Sequence, residues 1–404
     1  MTGSGPADVT RRSLLIGAGG AAVSAPAIVP AQRLGSAPQV TVVGAGVFGS
    51  WTAEQLRRRG ARVTLVDAYG PAHSRASSGG ESRMTRAAYG KDDIYTRMAL
   101  ASLAEWKTLS AAAGLPIFVP HGVLMLFPRE EQYFLDTMAA HRRLGLPTQA
   151  LGPAELARRF PMIDMTGIAV GTYEPGFGAL MARRAVQTLV GRFLASGGSF
   201  EQRKFQGTSS LAPSDHLVLA LGPWLPRVLP GLLRGRIVAT RQEVFTFAPP
   251  SADARFTPAQ MPGWADFNGG DLFYGFPDLE GKGVKFARDT HGVEVDPDRN
   301  DRRFTDAALA AVIAFRDRRF PLLRGAPLAT SEVCQYENSS NGDFLIAPHP
   351  QDAKVTLVGG GSGHGFKHGP EVGRLAAELV LDGKQPDPRF GLATKSNVQK
   401  REVI

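Results

Sequence analysis

The stretch QVTVVGAGVFGSWTAEQLRRRGARVTLVDAYG, residues 39–70, decides the fold. Residues 40–43 are a short apolar run that predicts a buried strand, and residues 47–56 carry apolar and small side chains at helical spacing. A second apolar run, residues 63–66, predicts another strand. A strand, a helix and a second strand of these lengths form a βαβ unit, so the stretch predicts a parallel sheet covered by helices.

Between the first strand and the helix lies a G-x-G-x-x-G pattern made by Gly44, Gly46 and Gly49. The first glycine allows a tight turn, the second lets a pyrophosphate approach the backbone, and the third lets the helix pack closely on the strand. The N-terminus of the helix offers N–H groups and the positive end of its dipole to the phosphates. Asp67, at the end of the second strand, stands where an acidic residue accepts hydrogen bonds from a ribose. This unit therefore predicts dinucleotide binding.

Two later segments indicate which dinucleotide is bound, a question that the first pattern leaves open between FAD and NAD. Residues 355–383 predict a strand, a glycine-rich loop and a helix with Pro370 in its first turn. Residues 215–224 predict a buried strand that ends in Gly222-Pro-Trp. Because three pieces from distant parts of the chain are predicted to meet at one ligand, an extended dinucleotide such as FAD is favoured. The loop residues expected to contact it are Gly361, Gly363, His364 and Gly365.

The composition describes an ordinary globular protein of 404 residues, with 43% hydrophobic and 21% charged residues. The net charge of +9 is spread along the chain, which favours anionic small molecules over a nucleic-acid groove with a concentrated basic face.

The N-terminus carries the paired residues Arg11 and Arg12 before a short apolar stretch, with small-residue cleavage patterns at residues 25–27 and 29–31. The stretch is too short to span a bilayer, so residues 1–31 predict a signal peptide. It resembles the bacterial twin-arginine type, which would direct the folded protein to the export machinery. The protein would then be located in the periplasm or outside the cell. A general secretory signal with two incidental arginines is the alternative. No other segment is long and apolar enough to predict a membrane span.

Cys334 is the single cysteine of the chain. It cannot form an intrachain disulfide, so it serves either as a small buried apolar residue or in chemistry. The cysteine alone does not decide between the two.

Five further blocks carry a specific resemblance, and they are ESRMTRAAYG (81–90), FYGFP (273–277), GVKFARDTHG (283–292), CQY (334–336) and GSGHGFK (361–367). In their order and spacing, the chain resembles the D-amino-acid oxidase superfamily of FAD oxidoreductases. It is most similar to the monomeric sarcosine oxidase and N-methyltryptophan oxidase group, from about residue 40 to residue 383. The resemblance implies an FAD enzyme that acts on small amines or amino acids and works as a monomer.

The implied fold is α/β: a Rossmann-like, three-layer FAD-binding domain interleaved with an α+β substrate domain whose sheet is mostly antiparallel. The blocks VLMLF (123–127), EVFTF (243–247) and DLFYGF (271–276) predict strands of that second sheet. The predicted boundaries are 38–115, 166–228 and 326–390 for the FAD-binding domain, 116–165 and 229–325 for the substrate domain, and 391–404 for a C-terminal tail, which is expected to be frayed from Thr394 to Ile404.

The resemblance also implies roles for individual residues. Cys334 matches the cysteine that forms a thioether to the 8-methyl group of the flavin, and Lys285 matches the lysine that faces flavin N5 and helps to reduce O2. Arg83 matches an arginine near the isoalloxazine ring. Arg86 and Lys367 match the pair that binds a substrate carboxylate. The planar guanidinium of an arginine can bind both oxygens of a carboxylate, and the compact ammonium of a lysine adds a second positive charge. Tyr274 and Tyr336 match active-site tyrosines.

Three departures from the group's pattern limit what is carried over. Residues 78–83 lack the paired histidines usual before the arginine, Asp289 replaces a histidine, and residues 200–215 form a shorter connection than usual. The identity of the substrate is therefore not carried over. His364 and His368 stand four residues apart, but Pro370 and the glycine loop argue against a helix that spans them, so no metal site is predicted.

We expect an amine oxidase that converts a small secondary or N-methylated amino acid to an imine and reduces O2 to hydrogen peroxide. Two alternatives stay open at this point. One is a flavin dehydrogenase that uses another electron acceptor, and the other is a catalytically inactive flavoprotein that serves as a binding partner.

Overall fold

The computed structural model describes Met1 and residues 37–267 and 271–400. Apart from Met1, the predicted signal peptide, residues 1–31, lies outside the described residues and stays a prediction. In the described part of the chain, no helix has both the length and the apolar character needed to cross a membrane.

Seventeen strands are described, and in chain order they are β1 (Gln39–Val43), β2 (Arg62–Asp67), β3 (Ser82–Thr85), β4 (Phe118–Val119), β5 (Val123–Phe127), β6 (Gln149–Leu151), β7 (Val170–Glu174), β8 (Gly178–Met181), β9 (Ser199–Gln202), β10 (His216–Leu219), β11 (Ile237–Phe247), β12 (Gly263–Asp266), β13 (Leu272–Phe276), β14 (Val284–Asp289), β15 (Leu328–Ser339), β16 (Leu345–His349) and β17 (Asp352–Gly359). The α-helices among the described residues are α1 (Val47–Arg58), α2 (Asp93–Ala113), α3 (Gln132–Arg143), α4 (Pro153–Arg159), α5 (Ala182–Ala195), α6 (Leu225–Val228), α7 (Pro230–Leu233), α8 (Asp306–Arg319) and α9 (Gly369–Asp382).

The first sheet has the order β16-β17-β10-β1-β2-β9, and its strands are parallel except for the antiparallel pair β16–β17. Because successive side chains of a strand point to opposite faces, Val42 packs with the helices α1, α5 and α9, while Val43 packs with α6 and α7. The sheet thus lies between two layers, as the predicted three-layer domain requires. The predicted strand, helix and strand of the βαβ unit are confirmed as β1, α1 and β2.

The second sheet has the order β15-β11-β14-β13-β12-β5-β7-β6. Its neighbouring strands are antiparallel except for β12 and β5, which confirms the prediction of a mostly antiparallel sheet. The fully buried Trp264 stacks on Phe315 of α8, so that helix covers one face of the sheet. A short sheet of order β3-β8-β4 accompanies the two large ones.

Two strands depart from the predicted domain boundaries. The segments 166–228 and 326–390 were assigned to the FAD-binding domain, but β7 and β15 pair within the second sheet. The reason is that β15, which lies after residue 326, pairs along its length with β11, which lies in the predicted substrate segment 229–325. The remaining boundaries stay predictions.

The prediction of a frayed tail is wrong for residues 394–400. Lys395 is 2% exposed, and its Nζ donates to the carbonyl of Arg389 at 2.8 Å. The backbone N–H of Ser396 donates to Ser340 Oγ at 2.9 Å. The hydrogen bond to Ser340 holds the tail against the loop that follows β15.

Candidate flavin and substrate site

A long cleft runs along the carboxyl ends of the parallel strands, where ligands of open α/β sheets bind. The predicted residues that line it are Gly44, Gly46, Asp67, Arg83, Gly222, Cys334, Tyr336, Gly361, Gly363 and Gly365. Three glycine turns from distant parts of the chain therefore open onto one space, as the sequence predicts for an extended dinucleotide.

The first glycine turn is fixed by packing as well as by conformation. Gly44 has φ +108, and a Cβ on Gly49 would lie 1.8 Å from the carbonyl oxygen of Gly44. Helix α1 therefore begins directly against the strand that precedes it. A Cβ on Gly46 would contact only Ser78 Oγ, at 3.5 Å, and one on Gly222 would have no neighbour within 4 Å. Both backbones are thus open to the cleft, which fits the close approach of a dinucleotide.

Asp67 holds the turn as well as lining the cleft. Its Oδ2 accepts a hydrogen bond from the N–H of Ala45 at 2.8 Å, and its Oδ1 accepts from the N–H groups of Tyr69 and Gly70 at 2.8 and 3.0 Å. Ser78, which sequence reasoning missed, accepts from the N–H of Val47 at 3.0 Å and so caps α1 from a distant loop. A contact made by a serine 31 residues away has no local sequence signal.

Cys334 is a free, partly exposed cysteine on β15 that lines the cleft. Its Sγ lies 3.4 Å from Nη2 of Arg83 and 3.8 Å from the carbonyl oxygen of Ser77. The thiol is therefore reachable from the cleft and stands beside a cation, in contrast to a cysteine that is sealed in the core.

Arg83 is held by carbonyl groups. Its Nη1 donates to the carbonyl of Ser82 at 2.7 Å, and its Nη2 donates to the carbonyl of Ser77 at 2.6 Å. Burial opposes its charge, but Cys334 and Tyr274 beside it leave the pKa of the guanidinium raised. Arg83 therefore supplies a permanent positive charge at the cleft.

Lys285 lies on β14, and only 7% of it is exposed. Its Nζ donates to the carbonyl oxygen and to Oγ of Ser82 at 3.1 and 3.2 Å, and it lies 5.2 Å from the ring centre of Phe276. Burial, and then the charge of Arg83, lower the pKa of Lys285 to about 8. The lysine therefore changes its charge close to physiological pH.

The two predicted tyrosines meet at the same place. Tyr274 on β13 and Tyr336 on β15 are hydrogen-bonded to each other. Burial raises the pKa of Tyr274, with a further contribution from the nearby carboxylate of Asp289, while Arg83 acts in the opposite direction. The structure thus brings both tyrosines, Arg83 and Cys334 together, with Asp289 close to Tyr274.

Arg86 and Lys367 converge on one aromatic ring. The guanidinium carbon of Arg86 lies 4.3 Å from the ring centre of Tyr89, and Nζ of Lys367 lies 5.1 Å from it. Lys367 also donates to the carbonyl of His364 at 2.9 Å. Two cations on one ring form a site that suits a carboxylate.

A buried acid that sequence reasoning missed lies behind these cations. Glu174 is 1% exposed, and its Oε1 accepts from the N–H of Ala87 at 2.9 Å. Burial raises the pKa of Glu174 to about 7, against the backbone hydrogen bond and the charges of Arg86 and Lys367. On the sequence it stands at the end of an apolar strand, where an acid is normally exposed.

His364 lies behind the glycine loop, in a buried network. The hydroxyl of Tyr89 is 3.1 Å from its Nδ1 and 2.7 Å from Nε2 of His368. The ring of His364 also stacks on Phe344, with centroids 4.9 Å apart. His364 is 5% exposed and is not among the residues that line the cleft, and its predicted contact with the cofactor stays a prediction.

Comparison with known proteins agrees with this geometry. Residues 39–379 match the model of the FAD dependent oxidoreductase (DAO) family. The chain is 29% identical to a monomeric sarcosine oxidase of Bacillus sp. (strain B-0618), over 85% of this chain and 92% of that protein. It is 30% identical to a monomeric sarcosine oxidase of Streptomyces avermitilis, over 86% of this chain and 95% of that protein. It is also 26% identical to an N-methyl-L-tryptophan oxidase of Yersinia pestis (strain Pestoides F), over 85% and 95%.

Among solved structures, the fold is similar to that of L-proline dehydrogenase from P. horikoshii, with a TM-score of 0.77 and 19% identity over 89% of this chain and 98% of that one. It is also similar to the open form of NikD, described as an unusual amino acid oxidase, with a TM-score of 0.71 and 20% identity over 88% and 98%. With its family match over nearly the whole described chain, this protein belongs to the DAO family of FAD-dependent oxidoreductases, and it is an enzyme of the kind that acts on CH–NH bonds.

Proposed function

We propose that the protein is an FAD-dependent amine oxidase that converts a small secondary or N-methylated amino acid to an imine, with O2 reduced to hydrogen peroxide. The observation that supports it best is the convergence of Arg86 and Lys367 on the ring of Tyr89. Two such cations suit the carboxylate of an amino acid, and the sarcosine and N-methyltryptophan oxidases that this chain resembles are named for substrates with that group.

Bound FAD supplies the redox chemistry, because it can accept a hydride equivalent, that is two electrons and a proton, from an amine. The chain supplies binding, orientation and charge. Arg86 and Lys367 would hold the substrate carboxylate and so fix the position of the Cα–N bond. The amine has to be neutral for its lone pair to assist C–H cleavage, so the pocket would take the substrate with its amine deprotonated.

Lys285 would serve the second half of the reaction. Electron transfer to O2 creates negative charge, which a fixed and partly desolvated cation stabilises. Lys285 is buried, lies next to Arg83 and Ser82, and stays positively charged below about pH 8.

Cys334 would tether the cofactor. Its exposure to the cleft and its position beside Arg83 support a thioether to the flavin, as the resemblance implies. A covalently held cofactor would also survive export, which we propose on the strength of the paired Arg11 and Arg12. Fractionation of cells that carry the wild-type chain or a variant with both arginines changed to lysine tests the export route, and we expect the variant to stay inside.

The experiment that tests the function is a turnover assay on the purified holoprotein with a panel of N-methyl and cyclic amino acids. With O2 as the electron acceptor, we expect one hydrogen peroxide per substrate oxidised and no requirement for an artificial acceptor. Turnover that requires the acceptor and yields no peroxide would identify a dehydrogenase. The absence of flavin reduction by every amine of the panel would indicate an inactive flavoprotein.

A further inference from the structure

Glu174 is a buried acid behind the two cations of the carboxylate site, and the proposed chemistry gives it no role. It lies at the end of β7 and is 1% exposed. Its Oε1 accepts a hydrogen bond at 2.9 Å from the N–H of Ala87, the residue that follows Arg86. Because the side chain has almost no accessible surface, it can affect a ligand only through the groups that lie between them.

The charged and titratable groups around Glu174 come from three elements. Arg86 follows β3 and Lys367 precedes α9, and the charges of both oppose the effect of burial on the pKa of Glu174. Helix α3 contributes His141, whose Nε2 lies 3.8 Å from Oε1 of Glu174, and Tyr133, whose hydroxyl lies 3.4 Å from Nη1 of Arg86. On β5, the residue paired with Glu174 is apolar. The acid is thus surrounded by two cations, an imidazole and a phenol.

The imidazole and the phenol are neutral at pH 7. Burial lowers the pKa of His141, against the charge of Asp93, and burial raises the pKa of Tyr133. Asp289, on β14, is the other carboxylate that acts on Arg86. Glu174 is therefore the buried group of this cluster whose charge changes near neutral pH.

A bound carboxylate ligand would change the balance of charge in this cluster. Arg86 and Lys367 are 9% and 5% exposed, so solvent screens their charges only weakly. The ionised form of Glu174 is favoured by these two cations, and they are the groups that the ligand would neutralise. Two carboxylates that share one buried site disfavour each other's ionisation. Ligand binding should therefore favour the protonated form of Glu174.

We propose that Glu174 is a positioning residue of the carboxylate site, which takes up a proton from solvent when a carboxylate ligand binds to Arg86 and Lys367 and releases it when the ligand leaves. In the empty site, the ionised acid attracts the two cations and holds them together. In the occupied site, the ligand takes over this role. The inference rests on the proposed function, since it requires a carboxylate at Arg86 and Lys367, and it does not depend on which amine is oxidised.

The ligand binds more tightly to the form with protonated Glu174, so its affinity should fall as the pH rises through the pKa of the empty site. Burial raises this pKa to about 7. If the complex keeps the proton throughout, the Kd should rise about tenfold between pH 6 and pH 8, and about half a proton should be taken up per ligand at pH 7. Lys285, with a pKa of about 8, would add at most about a twofold rise in Kd and about a tenth of a proton.

The test uses methylthioacetate, which has sulfur in place of the NH group of sarcosine and so carries a carboxylate but no titratable amine. Flavin absorbance of the holoprotein gives its Kd from pH 6 to pH 8. Isothermal titration calorimetry at pH 7, in two buffers of different ionisation enthalpy, gives the number of protons taken up. Methylthioacetamide, the uncharged amide, should show neither the rise in Kd nor the proton uptake.

Glu174→Gln keeps an acceptor for the N–H of Ala87 but cannot ionise. We expect its Kd to rise about twofold or less between pH 6 and pH 8, with at most about a tenth of a proton taken up. The matched control is Glu337→Gln, which changes a buried acid on β15. Burial raises the pKa of Glu337 to about 8, against hydrogen bonds from the N–H groups of Gly360 and Gly361, so this acid is largely protonated at pH 7 and glutamine replaces it closely. The control should keep the proton uptake of the wild type.

The wild type alone can overturn the proposal, if it binds methylthioacetate with a Kd that does not change with pH and takes up no proton. A Glu174→Gln variant with the proton uptake of the wild type would also overturn it, because another group would then take the proton. A variant that binds more weakly at every pH and keeps the pH dependence would show a purely structural role. If methylthioacetate and N-methyl amino acids leave the flavin spectrum unchanged at every pH, the carboxylate site itself fails, and the proposed function fails with it.

Discussion

The pKa of Lys285 gives a prediction that can be worked out in numbers. Burial, and then the charge of Arg83, lower this pKa from the usual 10.5 to about 8. If the protonated lysine stabilises the negative charge that forms on O2, the rate of oxidation of the reduced holoprotein should follow the protonated fraction. A group with a pKa of about 8 is about 76% protonated at pH 7.5 and about 3% protonated at pH 9.5.

The rate constant for oxidation by O2 should therefore fall about 25-fold between these two pH values. A lysine with the ordinary pKa would lose only about a tenth of its charge over the same range, so the two cases are well separated. The assay is stopped-flow mixing of anaerobically reduced holoprotein with O2, followed by flavin absorbance. This assay omits the amine and so excludes the titration of the substrate.

Two variants and a control complete the experiment. Lys285→Met should oxidise slowly at every pH, and Lys285→Arg, which stays charged, should lose the decline above pH 8. Lys282→Met removes an exposed lysine that pairs with Glu81 on the surface, and it should behave like the wild type. A pH-independent wild-type rate, or a Lys285→Met variant as fast as the wild type, would show that this lysine has no role in O2 reduction.

The other predictions concern the tether, the carboxylate site and the buried acid behind it. Acid precipitation of the wild-type holoprotein should leave the yellow colour in the pellet, and proteolysis of that pellet should give a flavin peptide that contains Cys334. The Cys334→Ala variant should release all of its colour into the supernatant. Release of the colour from the wild type would refute the thioether. Arg86→Met should lower kcat/KM for N-methyl amino acids about 10- to 100-fold, the loss expected for hydrogen bonds between charged groups, while Arg97→Met, an exposed change on α2, should have no effect. An equal loss with amines that lack a carboxylate would mean that Arg86 does not bind that group. Because burial raises the pKa of Glu174 from 4.5 to about 7, the folded state keeps a proton that the unfolded chain releases, and the free energy of unfolding should fall as the pH rises between these values. Glu174→Gln should remove at most about 3 kcal/mol of this fall in denaturant titrations of the apoprotein at pH 5 and pH 7, and an unchanged slope would contradict the assignment.

The sequence was sufficient to predict the strands and helices whose residue pattern is typical of a single local structure. The run from Val40 to Asp67 predicted a strand, a turn, a helix and a strand, because the glycine spacing and the apolar periodicity both depend on neighbours in the chain. The second sheet was predicted from apolar blocks of β-branched and aromatic residues, and its antiparallel pairing came from the resemblance to the family.

Contacts between distant segments were not predictable in this way. Ser78 caps α1 from another segment, and the backbone N–H of Ser396 bonds to Ser340. No pattern in the sequence around either serine predicts these contacts. Glu174 and Glu337 were missed because an acid in a strand is usually exposed, and their burial depends on elements from elsewhere in the chain. Rules that predict exposure from the neighbouring sequence fail for buried acids of this kind. Such failures are commonest at functional sites.

Anaerobic mixing of the holoprotein with sarcosine, L-proline and N-methyl-L-tryptophan, followed by flavin absorbance, tests the central claim most directly. We expect at least one of these amino acids to bleach the flavin without O2, and readmitted O2 to restore the colour with one hydrogen peroxide per flavin. A flavin that dithionite bleaches but that every amine leaves oxidised would contradict the assignment as an amine oxidase.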